Sequence, residues 1–298
     1  MKKRYRSTDL ALEAHQLWQE NAGKTTLLSG VQAQERVREG FCVSTVRILD
    51  QQGSDALGKP PGTYVTLTLD ESNRQEHGAF SRAVRAVAQE LTPMLPEDNF
   101  HSPVLVAGLG NRAITPDSIG PKSQEHILVT RHLIEQLPEQ FSALHPVVSV
   151  TTGVLGSTGM ESGEIVESLC RSLKPCCVIA VDSLASRSIE RLCRTIQLAD
   201  TGITPGSGVG NHRHALTKET LGVPVIAIGV PTVVEAATLA ADLLDLDEPP
   251  RLHGDQQLLV TTKDIDSQAA ELSRIIGYAV SLALQPGLTV EDLEMMLN

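Results

Sequence analysis

Short apolar runs alternate with segments of helical periodicity along most of the chain. Runs near residues 104, 147, 178 and 225 predict buried strands. After them, apolar residues recur at helical spacing and predict helices over 127–137, 165–173, 232–244 and 267–284. Strands that alternate with helices are typical of a parallel sheet covered on both faces. The pattern therefore predicts an α/β protein with three layers, α/β/α, and a mostly parallel central sheet of the phosphorylase/hydrolase-like kind.

The N-terminal third follows a different pattern. Apolar residues on one helical face after Asp9 predict an amphipathic helix, and residues 80–91 predict a second helix. Residues 43–49 predict a strand, whereas the turn-rich residues 51–61 predict a loop. The alternation over 64–69 predicts a half-exposed strand that is antiparallel or lies at a sheet edge. Since no linker interrupts the rest, we predict one α/β domain with a basic N-terminal extension.

Two apolar runs lead into a carboxylate. The run that starts at Val104 leads through Gly108 and Gly110 into a Thr-Pro-Asp turn that ends at Asp117, and the run from Cys177 ends at Asp182. Open α/β sheets bind ligands beyond the carboxyl ends of their strands, so two adjacent parallel strands would bring both acids to one edge. Paired carboxylates can divide acid and base roles, although a single such Asp more often caps a helix.

Glycine-rich loops follow several of these strands. Gly108, Gly110 and Asn111 follow the first, while Gly153 and Gly156 belong to the loop over 152–163. These backbones could donate N–H groups to a substrate carbonyl, or the glycines could only permit tight turns. A third such loop, over 200–211, has neither a G-K-[ST] sequence nor an acid placed for a ribose. We therefore expect no nucleotide there and no cofactor elsewhere.

Composition excludes several functional classes. The 298 residues carry a net charge of −11 and only 3% aromatic residues, which argues against direct binding of nucleic acid. No apolar run reaches the roughly 18 residues of a membrane span, and the basic N-terminus lacks the apolar segment of a secretory signal. The five cysteines include no C-x-x-C pair and suggest a reduced, cytoplasmic protein.

Several long motifs together are distinctive. They are the segments 6–15, 108–121, 152–161, 181–188, 200–211 and 225–235, which include Gly-Leu-Gly-Asn, Thr-Pro-Asp and Thr-Gly-Ile-Thr-Pro-Gly-Ser-Gly-Val-Gly-Asn. From about Arg6 to Thr238 the chain resembles the germination proteases of spore-forming bacteria. This family is similar in fold to hydrogenase-maturation endopeptidases.

The resemblance implies a function and a set of residues. It implies a cytoplasmic endopeptidase of the spore core, a homotetramer, whose substrates are the small, acid-soluble, DNA-coating proteins of the spore. It also implies a zymogen that removes its own N-terminus, with a propeptide over 1–9, a peptidase domain over 10–298 and cleavage between Asp9 and Leu10. The family is regarded as an unusual aspartic type, and its two functional carboxylates fall on Asp117 and Asp182.

Two alternatives stay open at this stage. His212 and His214 with the two acids could hold a metal, as in a metal-dependent maturation-type endopeptidase, although no dense ligand motif supports this and we expect no metal. A non-catalytic regulator of the same fold could instead bind a basic or helical peptide. Which Asp would be the base and which the acid is not decided by the sequence.

Overall fold

A computed structural model describes residues 8–22, 28–70, 74, 76–97, 102–206, 214–244, 246, 250 and 258–297. Within them lies one sheet. Its strands are β1 (Val31–Arg38), β2 (Phe41–Ile48), β3 (Gly62–Thr68), β4 (Val104–Leu109), β5 (Val147–Gly153), β6 (Cys177–Ser186), β7 (Thr195–Ala199), β8 (Val225–Glu235) and β9 (Leu259–Val260). The four strands expected from the buried apolar runs are β4, β5, β6 and β8, so these predictions are confirmed.

Strand order divides the sheet into a parallel and an antiparallel part. The order is β1-β2-β3-β7-β8-β6-β4-β5, and β9 pairs with β8. Strands β5, β4, β6 and β8 are parallel, while β1, β2, β3, β7 and β9 join by antiparallel pairing. The predicted α/β class is confirmed, but the sheet is mixed rather than mostly parallel. The reason is that the N-terminal hairpins extend the same sheet through β7.

The helices cover both faces of the sheet. They are α1 (Ala11–Ala22), α2 (Gln51–Leu57), α3 (Ala79–Leu91), α4 (Ile119–Ser123), α5 (Arg131–Gln136), α6 (Pro138–Phe141), α7 (Leu155–Thr158), α8 (Ser162–Leu173), α9 (Lys218–Leu221), α10 (Ala236–Leu243), α11 (Ile265–Leu284) and α12 (Val290–Leu297). Alternate strand residues point to opposite faces. Val104 and Val106 accordingly join α3 and α11 in one core, and Leu105 and Ala107 join α8 in another.

Some local predictions are wrong for reasons of packing. Residues 64–67 on β3 are buried on both faces, not half-exposed, because α1 packs over Tyr64 while α3 packs over Val65 and Leu67. The expected loop over 51–61 contains α2, whose first turn is capped by the Asp50 carboxylate. The helix expected over 127–137 is limited to α5, and β8 continues to Glu235 before α10 begins.

Across the ranges given above, no helix is both long and apolar enough to span a membrane.

Candidate active site

Asp182 lies in the middle of β6, in the parallel part of the sheet, because the strand continues past the apolar run to Ser186 and does not end at the acid as expected. The pairing of β4 with β6 runs as far as Gly108 and Val181, so Asp182 is the first residue of β6 beyond that pairing. Its side chain is 5% exposed. The N–H of Ser183 donates to Asp182 Oδ1 at 2.8 Å. A carboxylate is thus held at the sheet edge where β4 ends.

Asp117 returns to the same edge on the loop after β4. This loop ends in a short 3-10 turn over Thr115–Asp117, with proline inside its first turn. The N–H of Asn111 donates to both the carbonyl oxygen and Oδ2 of Asp117, each at 2.9 Å. The hydroxyl of Thr232, on β8, donates to the Pro116 carbonyl at 2.6 Å. The turn is therefore tied to the glycine loop on one side and to the sheet on the other.

Asp117 and Asp182 line one pocket. Its volume is about 350 Å³, and Asp9 lines it as well. Other lining residues are Gly110, Pro116, Ser162, Leu184, Thr232 and Thr261. Both acids thus line the same pocket beyond the end of β4, and their catalytic role stays a prediction. An acid pair in a shared, partly enclosed pocket can supply both a base and an acid.

The N-terminal segment lies against this pocket. The N–H of Asp9 donates to the carbonyl of Ala185 at 3.0 Å, and the N–H of Ala185 donates to the Asp9 carboxylate at 2.9 Å. Leu10 is fully buried. Lys59 Nζ donates to the carbonyl of Thr8 at 3.2 Å, and burial lowers the pKa of this lysine, against the opposing effect of Asp9 and Glu13. The peptide expected to be cut is therefore fixed beside the acid pair.

A buried anchor holds the segment that follows. Glu13 accepts from the N–H groups of Arg187 at 2.8 Å and Ser188 at 3.2 Å, and pairs with Arg191 Nε at 3.3 Å. The hydroxyl of Thr8 donates to the same carboxylate. Sequence reasoning missed this anchor, since about 175 residues separate Glu13 from the groups that bind it. No local signal would have identified it.

The glycine loops differ in their relation to the pocket. Gly110 lines it, whereas Gly108 lies where a Cβ atom would come within 2.5 Å of the Gly120 carbonyl oxygen. Gly153 ends β5 with a φ of +69°, and Gly156 lies in open space on α7. The suggested role of these loops as oxyanion donors stays a prediction.

The loop over 200–211 reaches the pocket at Pro205 and Gly206, but its later part and His212 lie outside the described residues. His214 packs beside Gly163, on α8. Within the described part of the chain, no group of three or more His, Cys, Asp or Glu residues could hold a metal ion.

A second titratable cluster lies at the N-terminal end of β6. Cys176 and His145 line a cavity of about 230 Å³. The pKa of the Cys176 thiol is lowered from 9.0 by a hydrogen bond with Cys177 and, less strongly, by His145. The pKa of Cys177 is raised by the same hydrogen bond and by burial. The first half of β6 separates this cluster from Asp182.

Comparisons with known proteins agree with the motifs. The model of a family described as germination protease matches residues 11–247. The chain is 40% identical to the germination protease of Clostridium tetani over 323 residues, which cover 98% of this chain and 99% of that protein. It is 46% identical to the germination protease of Bacillus cereus over 241 residues, which cover 80% of this chain and 65% of that protein.

A solved structure gives a weaker match. It is that of a NiFe hydrogenase maturation protease, HycI from Thermococcus kodakarensis, which is 18% identical with a TM-score of 0.36. The match covers 64% of this chain and 98% of that one. A similarity this low supports no argument about fold or function.

Proposed function

The chain belongs to the germination protease family, and we propose that it is the endopeptidase that degrades small, acid-soluble, DNA-binding spore proteins. Family membership makes it a peptidase of spore germination. The substrate class follows from the resemblance of the motifs around Asp117 and Asp182. The proposal places the enzyme in the cytoplasm of the forespore and spore core, as a homotetramer.

The proposed chemistry is hydrolysis by an activated water molecule. One carboxylate of the pair, ionised, takes a proton from water as the oxygen attacks the peptide carbonyl carbon. The other carboxylate, protonated, gives its proton to the leaving amine. This division of roles requires that the two carboxyl groups share one proton. The assignment of base and acid stays open, and the chemistry would make the enzyme an unusual aspartic type.

One observation carries the proposal: the two acids line the same pocket as Asp9. Residues 8–10 lie against β6 through the two hydrogen bonds between Asp9 and Ala185. A peptide tethered in this position experiences a high effective concentration of the catalytic groups. We therefore propose that the chain is a zymogen whose propeptide is 1–9, that it cuts between Asp9 and Leu10, and that 10–298 is the peptidase domain.

The test compares Asp117→Asn and Asp182→Asn with the parent. General acid or base catalysis contributes typically 10²–10⁴-fold, so each variant should lose at least about 10²-fold in peptide hydrolysis while its unfolding transition stays cooperative. Asp55→Asn is the matched control, because Asp55 is an exposed residue of α2 that contacts Gln51. Near-parental hydrolysis by either folded active-site variant would refute the paired-acid mechanism.

Self-processing is followed by intact mass. Parent protein held at neutral and at mildly acidic pH should develop an N-terminus at Leu10, and Asp182→Asn should not. A chelator in the same reactions distinguishes the metal-dependent alternative, which predicts that cleavage stops. Absence of cleavage of both the N-terminus and a spore-protein peptide by the parent, under all these conditions, would favour a peptide-binding regulator.

A further inference from the structure

We propose that Gln197 is a further catalytic residue of the self-cleavage, because its side-chain amide stabilises the oxyanion that forms on the Asp9 carbonyl. The inference rests on the proposed function, since it takes the bond between Asp9 and Leu10 as the one that is cut. It adds a group that neither the motifs nor the glycine loops indicate.

The Gln197 side chain spans the bond in question. Its Nε2 donates to the carbonyl oxygen of Asp9 at 3.3 Å, and its Oε1 accepts from the N–H of Ala11 at 2.9 Å. One planar amide thus contacts the carbonyl of the residue before the bond and the N–H of the second residue after it. This bidentate contact fixes both the position and the direction of the peptide.

Strand register places Gln197 on the same face as Asp182. Gln197, on β7, and Asp182, on β6, both pair with Gly229 of the intervening strand β8. Residues directly opposite each other in adjacent strands point to the same face, and strands lie about 4.8 Å apart, so the two Cα atoms are roughly 10 Å apart. The Leu184 side chain lies over Gly229, between the acid and the amide. Asp9 lines the pocket on each side of this leucine, the one that contains Asp182 and the one that contains Gln197.

The site around Gln197 has the properties that such a donor needs. The side chain is 7% exposed, so its hydrogen bond acts in an environment of low dielectric. Its position is set by the strand, and the peptide is held independently through Ala185 and Lys59. Donors that are already in place cost no reorganisation when charge develops on the carbonyl oxygen.

The reaction balances with this assignment. Water adds to the Asp9 carbonyl carbon, its proton passes to the carboxylate base, and the carbonyl π electrons move onto the oxygen that faces Nε2. The oxyanion then collapses, the bond to the Leu10 nitrogen breaks, and that nitrogen takes the proton of the second carboxyl group. The products are the new α-carboxyl group of Asp9 and the free amine of Leu10. The first carboxylate now holds the proton from water and the second is ionised, so the pair still carries one proton, and Gln197 is unchanged.

The glycine loop after β4 is a less suitable donor. The Asn111 N–H, which the sequence suggested for this role, donates to two oxygens of Asp117. It therefore orients the carboxylate rather than the substrate.

The experiment follows first-order release of the Leu10 N-terminus in Gln197→Met, which keeps the length of the side chain but has no donor. Loss of one oxyanion donor costs about 10²–10³-fold in rate, and we expect a loss in this range. Gln285→Met is the matched control. Gln285 is an equally buried glutamine that makes the same bidentate contact, to the backbone N–H and carbonyl of His145, far from the pocket. The Gln285→Met protein should release the Leu10 N-terminus at the parental rate.

Gln197→Glu gives a readout that a structural role would not change, and it also serves if the Met variant does not fold. A protonated carboxyl group can donate to the oxyanion, whereas a carboxylate repels it. Cleavage by Gln197→Glu should therefore recover towards the parental rate as the pH falls, and become steeply slower as it rises. In a peptide assay, the loss in Gln197→Met should appear in kcat more than in KM.

The outcomes separate this inference from the proposed function. If the parent cuts at Leu10, Asp182→Asn does not, and folded Gln197→Met cuts at the parental rate, the role of Gln197 is refuted and the acid pair stands. The same holds if Gln197→Glu follows the parental pH profile. If the parent never cuts there, or Asp182→Asn cuts normally, the proposed function itself fails.

Discussion

The backbone N–H of Asn111 donates to both the carbonyl oxygen and the carboxylate Oδ2 of Asp117, each at 2.9 Å. This double contact closes the loop between β4 and the 3-10 turn, so a backbone N–H helps to orient one carboxylate of the pair. Gly110 permits the closure. Its φ is +104°, and a Cβ atom there would lie 2.3 Å from the Asp117 carbonyl oxygen.

Gly110→Ala should therefore displace Asp117. The residue would have to adopt a left-handed backbone conformation, at a cost of roughly 1–2 kcal/mol, and its methyl group would push the turn away from the pocket. We expect peptide hydrolysis to fall by about 10²-fold, since misplacement by about 1 Å can cost that much. The control is Gly222→Ala, where the φ is also positive, at +73°, but no atom lies within 4 Å of the added Cβ. Equal activity of the two variants would contradict this account of the loop.

Glu13→Gln should loosen the N-terminal segment. The substitution removes a buried negative charge that faces Arg191 and two N–H groups, and breaking a buried ion pair costs about 3–5 kcal/mol. We expect the free energy of unfolding, from urea titration, to fall by about 3 kcal/mol and limited proteolysis to cut earlier within α1.

Glu135→Gln is the control for this measurement. Glu135 forms an exposed pair with Arg131 on α5, and such pairs contribute at most about 1 kcal/mol. A Glu13→Gln protein as stable as Glu135→Gln would mean that the buried anchor does not stabilise the fold.

Lys59 should leave a signature in the pH dependence of stability. Burial holds its pKa in the folded state below the ordinary 10.5. Between the lowered pKa of the folded protein and the ordinary pKa of the unfolded chain, Lys59 binds more protons in the unfolded chain than in the folded one. Its contribution to stability therefore rises with pH up to about 10.5. Relative to Lys59→Met, the parent should gain stability over this window, measured by urea unfolding in matched buffers. A difference that stays constant with pH would disprove the shift.

Cys176 should be the most reactive thiol below neutral pH. Hydrogen bonding with Cys177 and His145 lowers the pKa of Cys176. Burial is the main cause that raises the pKa of Cys193, to about 11. Thiolates are the reactive form, so iodoacetamide at pH 6 should modify Cys176 at least about 10-fold faster than Cys193, as read by peptide mass spectrometry. Cys42, also partly exposed but distant from His145, is the internal reference. Faster labelling of Cys42 would rule out activation by the cluster.

The parallel core and its acids could be predicted because their signals are local. A buried strand between two helical layers needs a continuous apolar run, and β4, β5, β6 and β8 each carry one. The two acids follow the apolar runs of β4 and β6, and parallel strands place their carboxyl ends at one edge of the sheet, so the shared pocket of Asp117 and Asp182 could be expected. Their meeting in one pocket needed no long-range information beyond the adjacency of β4 and β6.

The antiparallel strands of the sheet have weaker sequence signals than the parallel ones. Strand β1 is largely exposed on both faces, so its residues carry little apolar pattern, and β7 is only five residues long. Each forms only because a neighbouring strand supplies its hydrogen bonds. The prediction of a mostly parallel sheet was wrong for this reason.

The groups around the N-terminal segment depend on the tertiary fold entirely. Gln197 meets Asp9 and Ala11 because β7 inserts between β3 and β8. Glu13 meets Arg191 because the first turn of α1 lies against the segment that follows β6. These contacts join residues more than 170 positions apart. Periodicity indicates which face of a helix or strand is buried. It carries no information about which distant polar groups form hydrogen bonds with that helix or strand. The sequence alone therefore indicates the positions of Asp117 and Asp182. Only the pairing of the strands in the folded protein places the buried side-chain amide of Gln197 opposite Asp182.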